Sequence, residues 1–247
     1  MSIRIISEKC VGCKLCVKAC PFGAIEMVDK LAVIDLDSCT LCGVCVDSCK
    51  FEAIQMERGE AEIAPAASEH KGIWIFAEQR RGVVQGVAYE LLGEGRRLAD
   101  AAGEELWAVL FGPGMDEAAE SLIQRGADGV LYVDDERLAD FNDEPYAEAL
   151  ARLIRKRRPF IVLAGATALG RSFVPKVAAK IETGLTADCT GFEIDPAYGL
   201  LQTRPAYGGS IMATIITPNH RPQMATVRHK VMKEAQRLDG HQGRIEK

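Results

Sequence analysis

Eight of the nine cysteines fall before residue 50, in two copies of one pattern. Cys10, Cys13, Cys16 and Cys20 recur as Cys39, Cys42, Cys45 and Cys49 at a constant offset of 29 residues. The register continues past the thiols, where Phe22, Ala24, Ile25 and Met27 repeat as Phe51, Ala53, Ile54 and Met56. Each half reads C-x-x-C-x-x-C-x-x-x-C, the spacing that ligates a 4Fe-4S cube. Three thiolates within seven residues wrap one corner of a cluster, while the fourth lies on the next turn and completes the cluster of the other run. The expected sets are therefore Cys10, Cys13, Cys16 with Cys49, and Cys39, Cys42, Cys45 with Cys20. The alternatives are disulfides, which no signal peptide supports, and structural zinc, which favours separated C-x-x-C pairs and leaves each middle thiol unused. Pro21 follows Cys20 but Lys50 follows Cys49. A cation there favours the reduced, more negative form of its cluster, so the two potentials are expected to differ.

The chain has 247 residues and a net charge of −5, enough for one large domain or two small ones, and the charge argues against nucleic acid as a main partner. No apolar run approaches the roughly 18 residues of a membrane span, and free thiols point to a reducing, cytoplasmic setting. Residues 1–60 are expected to form a small α+β unit of the bacterial ferredoxin type with two 4Fe-4S clusters, which act as its core. The small, proline-marked stretch 61–71 reads as a linker. From residue 72 the pattern alternates, with strands at 72–77, 106–111, 129–133 and 160–164 and helices at 83–102, 116–125, 145–157 and 169–181. That alternation implies an α/β fold with a doubly wound, mostly parallel open sheet. Strands at 188–194, 200–204, 210–216 and 223–228 read as a β extension closing it. Residues 217–247 carry seven Lys or Arg against three acids, and 233–247, without apolar periodicity, read as a tail leading to a further domain.

Several stretches resemble a known family. They are Ala77-Glu78-Gln79, Glu90-Leu91-Leu92-Gly93, Gly165-Ala166-Thr167, Leu169-Gly170-Arg171 and Thr183-Gly184-Leu185-Thr186-Ala187-Asp188-Cys189-Thr190. The most specific is Gln202-Thr203-Arg204-Pro205-Ala206-Tyr207-Gly208-Gly209 through Ile211-Met212-Ala213-Thr214-Ile215, continuing in Pro222-Gln223-Met224-Ala225-Thr226-Val227-Arg228. Residues 72–232 are thereby similar to the first domain of the large (α) subunit of an electron transfer flavoprotein, a fold of the adenine-nucleotide-hydrolase type. With a ferredoxin-like unit in front, the chain resembles the α subunits of flavin-bifurcating members from anaerobes. The resemblance implies a β subunit that holds FAD and exchanges electrons with NAD, a dehydrogenase of the acyl-CoA or 2-hydroxy acid type, and ferredoxin as an external carrier. It also implies an FAD-binding second domain, and no G-x-G-x-x-G or Walker-type loop substitutes for it here. That domain is expected either in a longer chain or on another polypeptide. Where the family has Pro-Gly after Val-Arg, this sequence has His229-Lys230.

Arg204 is the candidate for flavin chemistry. It precedes Pro205 at a strand end, with Gly208-Gly209 just beyond, where backbone can approach a ligand closely. In the family the matching arginine faces the isoalloxazine of the β subunit, so the resemblance implies a guanidinium that stabilises negative charge on reduced flavin. The competing reading is an arginine that satisfies carbonyls at a turn. The βα turn Gly165–Arg171 could cradle a phosphate or simply pack. Glu78-Gln79-Arg80-Arg81 follows the first strand, at the usual ligand edge of an open α/β sheet. Cys189 reads as a buried small hydrophobe, and His70, His220, His229 and His241 lack metal spacing. The leading expectation is an electron-transfer subunit rather than a self-contained enzyme. Its rivals are an adenine-nucleotide-binding enzyme with a fused ferredoxin, and an assembly module whose clusters are structural.

Overall fold

The computed structural model describes residues 2–57 and 69–247. It separates into two units, Met1–Glu62 and Ile63–Lys247. Residues 61–68 of the expected linker lie outside the described residues.

In the first unit the sequence repeat is a structural repeat. The strand β1 (Ser2–Ile5), the helix α1 (Leu15–Ala19) and the strand β2 (Ile25–Val28) are followed, 29 residues on, by β3 (Leu31–Ile34), α2 (Val44–Ser48) and β4 (Ile54–Glu57). The halves interlock, because β1 pairs antiparallel with β4 and β2 with β3. Asp29 and Lys30 both take positive φ in the tight turn between β2 and β3, the conformation whose twist matches paired strands. The buried cluster consists of Ile3, Cys16, Ile25, Ala32, Cys45 and Ile54, which are three pairs at the repeat offset. So few residues cannot stabilise a domain by apolar burial alone, and two of the six are candidate ligands.

The second unit runs β5 (Ile73–Phe76), β6 (Gln79–Arg80), β7 (Val83–Val84), α3 (Gly86–Ala102), β8 (Leu106–Phe111), α4 (Asp116–Ile123), β9 (Gly129–Val133), α5 (Asp143–Arg157), β10 (Ile161–Gly165) and α6 (Ala168–Lys180). It continues with β11 (Leu185–Cys189), β12 (Gly191–Asp195), β13 (Gly199–Ala206), β14 (Ile211–Ile215), β15 (Gln223–Val227) and β16 (Arg244–Glu246). Seven strands form one parallel sheet in the order β11-β15-β10-β5-β8-β9-β16. Consecutive side chains of a strand point to opposite faces. Ile73 and Ile75 accordingly pack with Leu91, Leu98 and Leu122 of α3 and α4, while Trp74 and Phe76 pack with Leu150, Phe173 and Val177 of α5 and α6. Both faces are covered, as an all-parallel sheet requires. The α5 helix opens on Asp143 and Glu144 and closes on Arg155, Lys156 and Arg157, which complements its dipole.

Three readings shift. The first helix starts at Gly86 rather than 83, because Arg81 and Gly82 take positive φ and turn the chain into the β6–β7 hairpin. The stretch 188–194 is two strands: Asp188 has φ +63 beside an irregularity in the β11–β15 register, so β11 stays in the parallel sheet while β12 leaves it. The β extension is thus a separate antiparallel sheet, β12-β13-β14, and β15 returns to lie between β11 and β10. Residues 244–246, inside the expected tail, pair in parallel with β9. Apolar periodicity could not show this strand, because it is held by charge: Arg244 binds Glu105 and lies 4.4 Å from the Trp107 ring centre.

Candidate metal centres and the arginine edge

The short helices α1 and α2 bring the thiols of each half toward the other. Around one apolar hollow stand Cys10, Cys13, Cys16 and Cys49, with Ile5, Val11, Leu15, Met27 and Phe51 among the walls. Around a second stand Cys20, Cys39, Cys42 and Cys45, with Ile3, Phe22 and Ile25. Each set takes three thiols from one run and the fourth from the other. All nine cysteines are free thiols. A tetrahedral zinc with Zn–S near 2.3 Å would draw its sulfurs to roughly 3.8 Å of each other. Among the described residues no three His, Cys, Asp or Glu converge closely enough to hold a single ion. Four soft thiols standing around an apolar space fit a polynuclear iron–sulfur group.

The backbone of the two loops repeats as well. Left-handed φ occurs at Gly12 and Leu41, at Lys14 and Gly43, and at Gly23 and Glu52, three pairs at the same offset. At Gly12 a Cβ would lie 2.5 Å from the Lys30 carbonyl oxygen, so only glycine fits there. The last thiol of each run accepts a backbone hydrogen bond four residues on: Ala24 N–H to Cys20 Sγ at 3.4 Å, and Ala53 N–H to Cys49 Sγ at 3.3 Å. Burial pushes the Cys16 thiol up, with Cys13 and Cys10 adding to the effect. Burial raises Cys45 likewise, with contributions from Cys39, Cys42 and, from the other half, Cys20. Ligation needs thiolates, so loading these sites releases protons.

Arg204 sits on β13 opposite Ala213 and is half-buried. It lies in a group of charges at the C-terminal edge of the parallel sheet. Asp188, at the β11 irregularity, accepts from Arg228 Nε at 3.2 Å and from Arg171 Nη2 at 3.3 Å. The Arg228 guanidinium holds the Asp188 carboxyl below the usual range, and Arg171 and Arg204 add to it. One carboxylate against three guanidiniums leaves this edge positive. Arg171 and Arg228 stood in the sequence motifs without a role. Their positions at the start of a helix and the end of a strand were the available signal.

Several of the remaining candidates are engaged in contacts within the second unit. The Thr167 hydroxyl donates to the Glu78 carboxylate at 2.5 Å and accepts from Gly170 N–H at 3.1 Å, capping α6. Gly170 is required, since a Cβ would lie 1.9 Å from the Gly165 carbonyl oxygen. A buried carboxylate, 2% exposed, thus occupies the turn that could have cradled phosphate. Gln79 is buried, donating to Tyr146 Oη at 3.4 Å and accepting from Gly82 N–H at 3.0 Å. Arg80 pairs with Glu78. Cys189 is fully buried, and burial pushes its thiol up to about 12. His241 Nε2 lies 3.1 Å from the Ala127 carbonyl oxygen. No helix among the described residues is long and apolar enough to cross a membrane.

Residues 73–247 match the model of the electron transfer flavoprotein domain, and residues 2–64 that of the 4Fe-4S dicluster domain. The electron transfer flavoprotein subunit alpha of Thermoanaerobacterium thermosaccharolyticum is 49% identical over 178 residues, covering 72% of this chain and 54% of that protein. The subunit of the same name from Clostridium acetobutylicum is 48% identical over 168 residues, 68% of this chain and 50% of the relative. A protein named lactate dehydrogenase (NAD(+),ferredoxin) subunit LctC, from Acetobacterium woodii, is 41% identical over 187 residues, 76% of this chain and 45% of the relative. The chain spans about half the length of the curated relatives it matches.

Proposed function

The chain belongs to the electron transfer flavoprotein family, as an α-type subunit preceded by a ferredoxin-like 4Fe-4S domain, and from that premise we propose that it passes electrons between ferredoxin and FAD held by a β subunit. The observation that carries the reading is the pair of cavities, each walled by four thiols contributed by both halves of the repeat. We assign 1–60 to the ferredoxin-like part and 72–232 to the flavoprotein part, with 233–247, expected as a tail, joined to the latter through β16.

Cys10, Cys13, Cys16 and Cys49 would hold one cluster, and Cys39, Cys42, Cys45 and Cys20 the other. When bound, each cluster supplies a one-electron couple within a range of roughly −700 to +450 mV. The chain's own contribution is to exclude water with apolar walls and to aim the Ala24 and Ala53 N–H groups at ligand sulfur, which favours the reduced form. Arg204 would present its guanidinium to the partner-bound flavin, while Asp188 fixes Arg171 and Arg228 beside it. A second FAD is assigned to a domain outside these residues. The name of the Acetobacterium woodii relative supports NAD-linked bifurcation or confurcation with a 2-hydroxy acid dehydrogenase. An acyl-CoA dehydrogenase is the other partner class. The Glu78 carboxylate hydrogen-bonded by Thr167 argues against the adenine-nucleotide enzyme, since a phosphate at that turn would meet a buried negative charge.

Anaerobic purification of the chain with its native partners tests the reading. About eight iron and eight sulfide per chain, flavin on a second subunit, and EPR signals that change with applied potential are expected. Zinc in place of iron, or iron that never changes oxidation state, would overturn it.

A further inference from the structure

The two halves of the first unit agree in their cysteines and differ in their charges. Lys9, Lys14 and Lys18 stand where the repeat has Ser38, Gly43 and Asp47, and Lys50 stands where it has Pro21. The segment around the first thiol set, 6–18, and the one that follows its cross-ligand Cys49, 50–52, carry these four lysines against Glu8 and Glu52, a net charge of +2. The corresponding segments of the second set, 35–47 and 21–23, carry Asp35, Asp37 and Asp47 and no cation, a net charge of −3. All of these side chains are exposed. Lys14 itself lines the first cavity. Asp35 is fixed at the mouth of the second run, accepting from Ser38 Oγ at 2.6 Å and from Asp37 N–H at 3.0 Å. The first of these bonds keeps its carboxyl ionised below the usual range.

A cluster gains one negative charge on reduction, so nearby cations favour that form and nearby carboxylates oppose it. Near-identical ligand loops with opposite surroundings therefore cannot bind an electron equally. We propose that the ferredoxin-like unit is a graded pair, in which the Cys10–Cys13–Cys16–Cys49 site takes the electron in preference to the Cys20–Cys39–Cys42–Cys45 site. Lys9, Lys14, Lys18 and Lys50 against Asp35, Asp37 and Asp47 set the grade. One electron leaves the second site as it enters the first, and no bond or proton moves. The inference rests on the two-cluster reading above and adds a direction to it. The charges are solvent-exposed and screened, so the expected preference is about tenfold, or ~59 mV for a one-electron couple.

The test is a potentiometric EPR titration of the anaerobically loaded full chain, at low and high salt. Two potentials about tenfold apart in equilibrium constant are expected, closing together as salt is raised. Lys9→Gln with Lys14→Gln should lower only the higher potential, and Asp35→Asn with Asp37→Asn should raise only the lower one. Cys49→Ser and Cys20→Ser assign each potential to its site. Full loading with coincident potentials, or lysine variants that move the lower potential, would overturn this proposal alone. Loading that stays near four iron would overturn the two-cluster reading, and the graded pair with it.

Discussion

At the scale of single residues, the ligand sets rest on which thiol completes which site. Cys49 lies 29 residues from Cys20 and both take the same place in the repeat, yet each lines the cavity of the opposite run. Cys49→Ser should halve the iron to about four per chain and abolish the site of Cys10, Cys13 and Cys16 rather than that of its own run. Iron analysis with EPR of the single variants reads this directly. Loss of the Cys39, Cys42 and Cys45 site instead would reverse the cross-assignment. Gly170 makes a different kind of prediction. Alanine normally stabilises a helical position relative to glycine by about 1 kcal/mol. Here the Cβ would meet a carbonyl oxygen at 1.9 Å, so Gly170→Ala should destabilise the second unit by about 1–3 kcal/mol in denaturant unfolding.

At the scale of elements, the antiparallel extension that carries Arg204 is tied to the parallel sheet by one buried amide. Gln223 on β15 accepts from Leu200 N–H at 2.7 Å and donates to the Tyr198 and Thr217 carbonyls at 2.9 and 3.1 Å. Gly199 takes φ +76 beside it, and a Cβ there would meet Gln223 Oε1 at 2.5 Å. Gln223→Leu keeps a similar shape but strands three backbone groups, and should cost about 2–4 kcal/mol. Equilibrium unfolding measures the loss, and amide exchange in β12 and β13 locates it. Asp188, where β11 and β12 part, gives a pH dependence of defined sign. Its folded carboxyl is held down chiefly by Arg228, so its contribution is complete above the ordinary carboxylate value near 3.9 and is lost as pH falls below it. Wild type and Asp188→Asn should differ in thermal stability at pH 7 and converge below about pH 4. A gap that persists in acid would remove the Asp188–Arg228 pair from the explanation.

At the scale of the whole chain, residues 229–247 follow the second unit rather than leave it. The Glu90 carboxylate accepts from Lys230 and Val231 N–H, Ala235 N–H donates to the Tyr89 carbonyl and Leu238 N–H to the Gln124 carbonyl, before β16 pairs with β9. Removing 241–247 should turn β9 into an edge strand and speed amide exchange at Gly129–Val133. Unchanged exchange would show that β16 adds nothing to the sheet. What could be read in the linear order was whatever a local period or spacing encodes. The ligand loops show in the cysteine spacing because a cluster imposes its geometry on a few consecutive residues. The alternating strands and helices show because burial imposes periods of 2 and 3.6 on neighbouring residues. The tertiary structure alone decided the rest. Strand order depends on contacts between segments far apart in sequence, so nothing local placed β15 between β11 and β10. The break at Asp188 is a single backbone angle that alternation cannot signal. Strand β16 is held by ion pairs and a ring contact that have no period. The sense in which Arg171, Arg204 and Arg228 form one positive edge exists only once three segments distant in sequence meet.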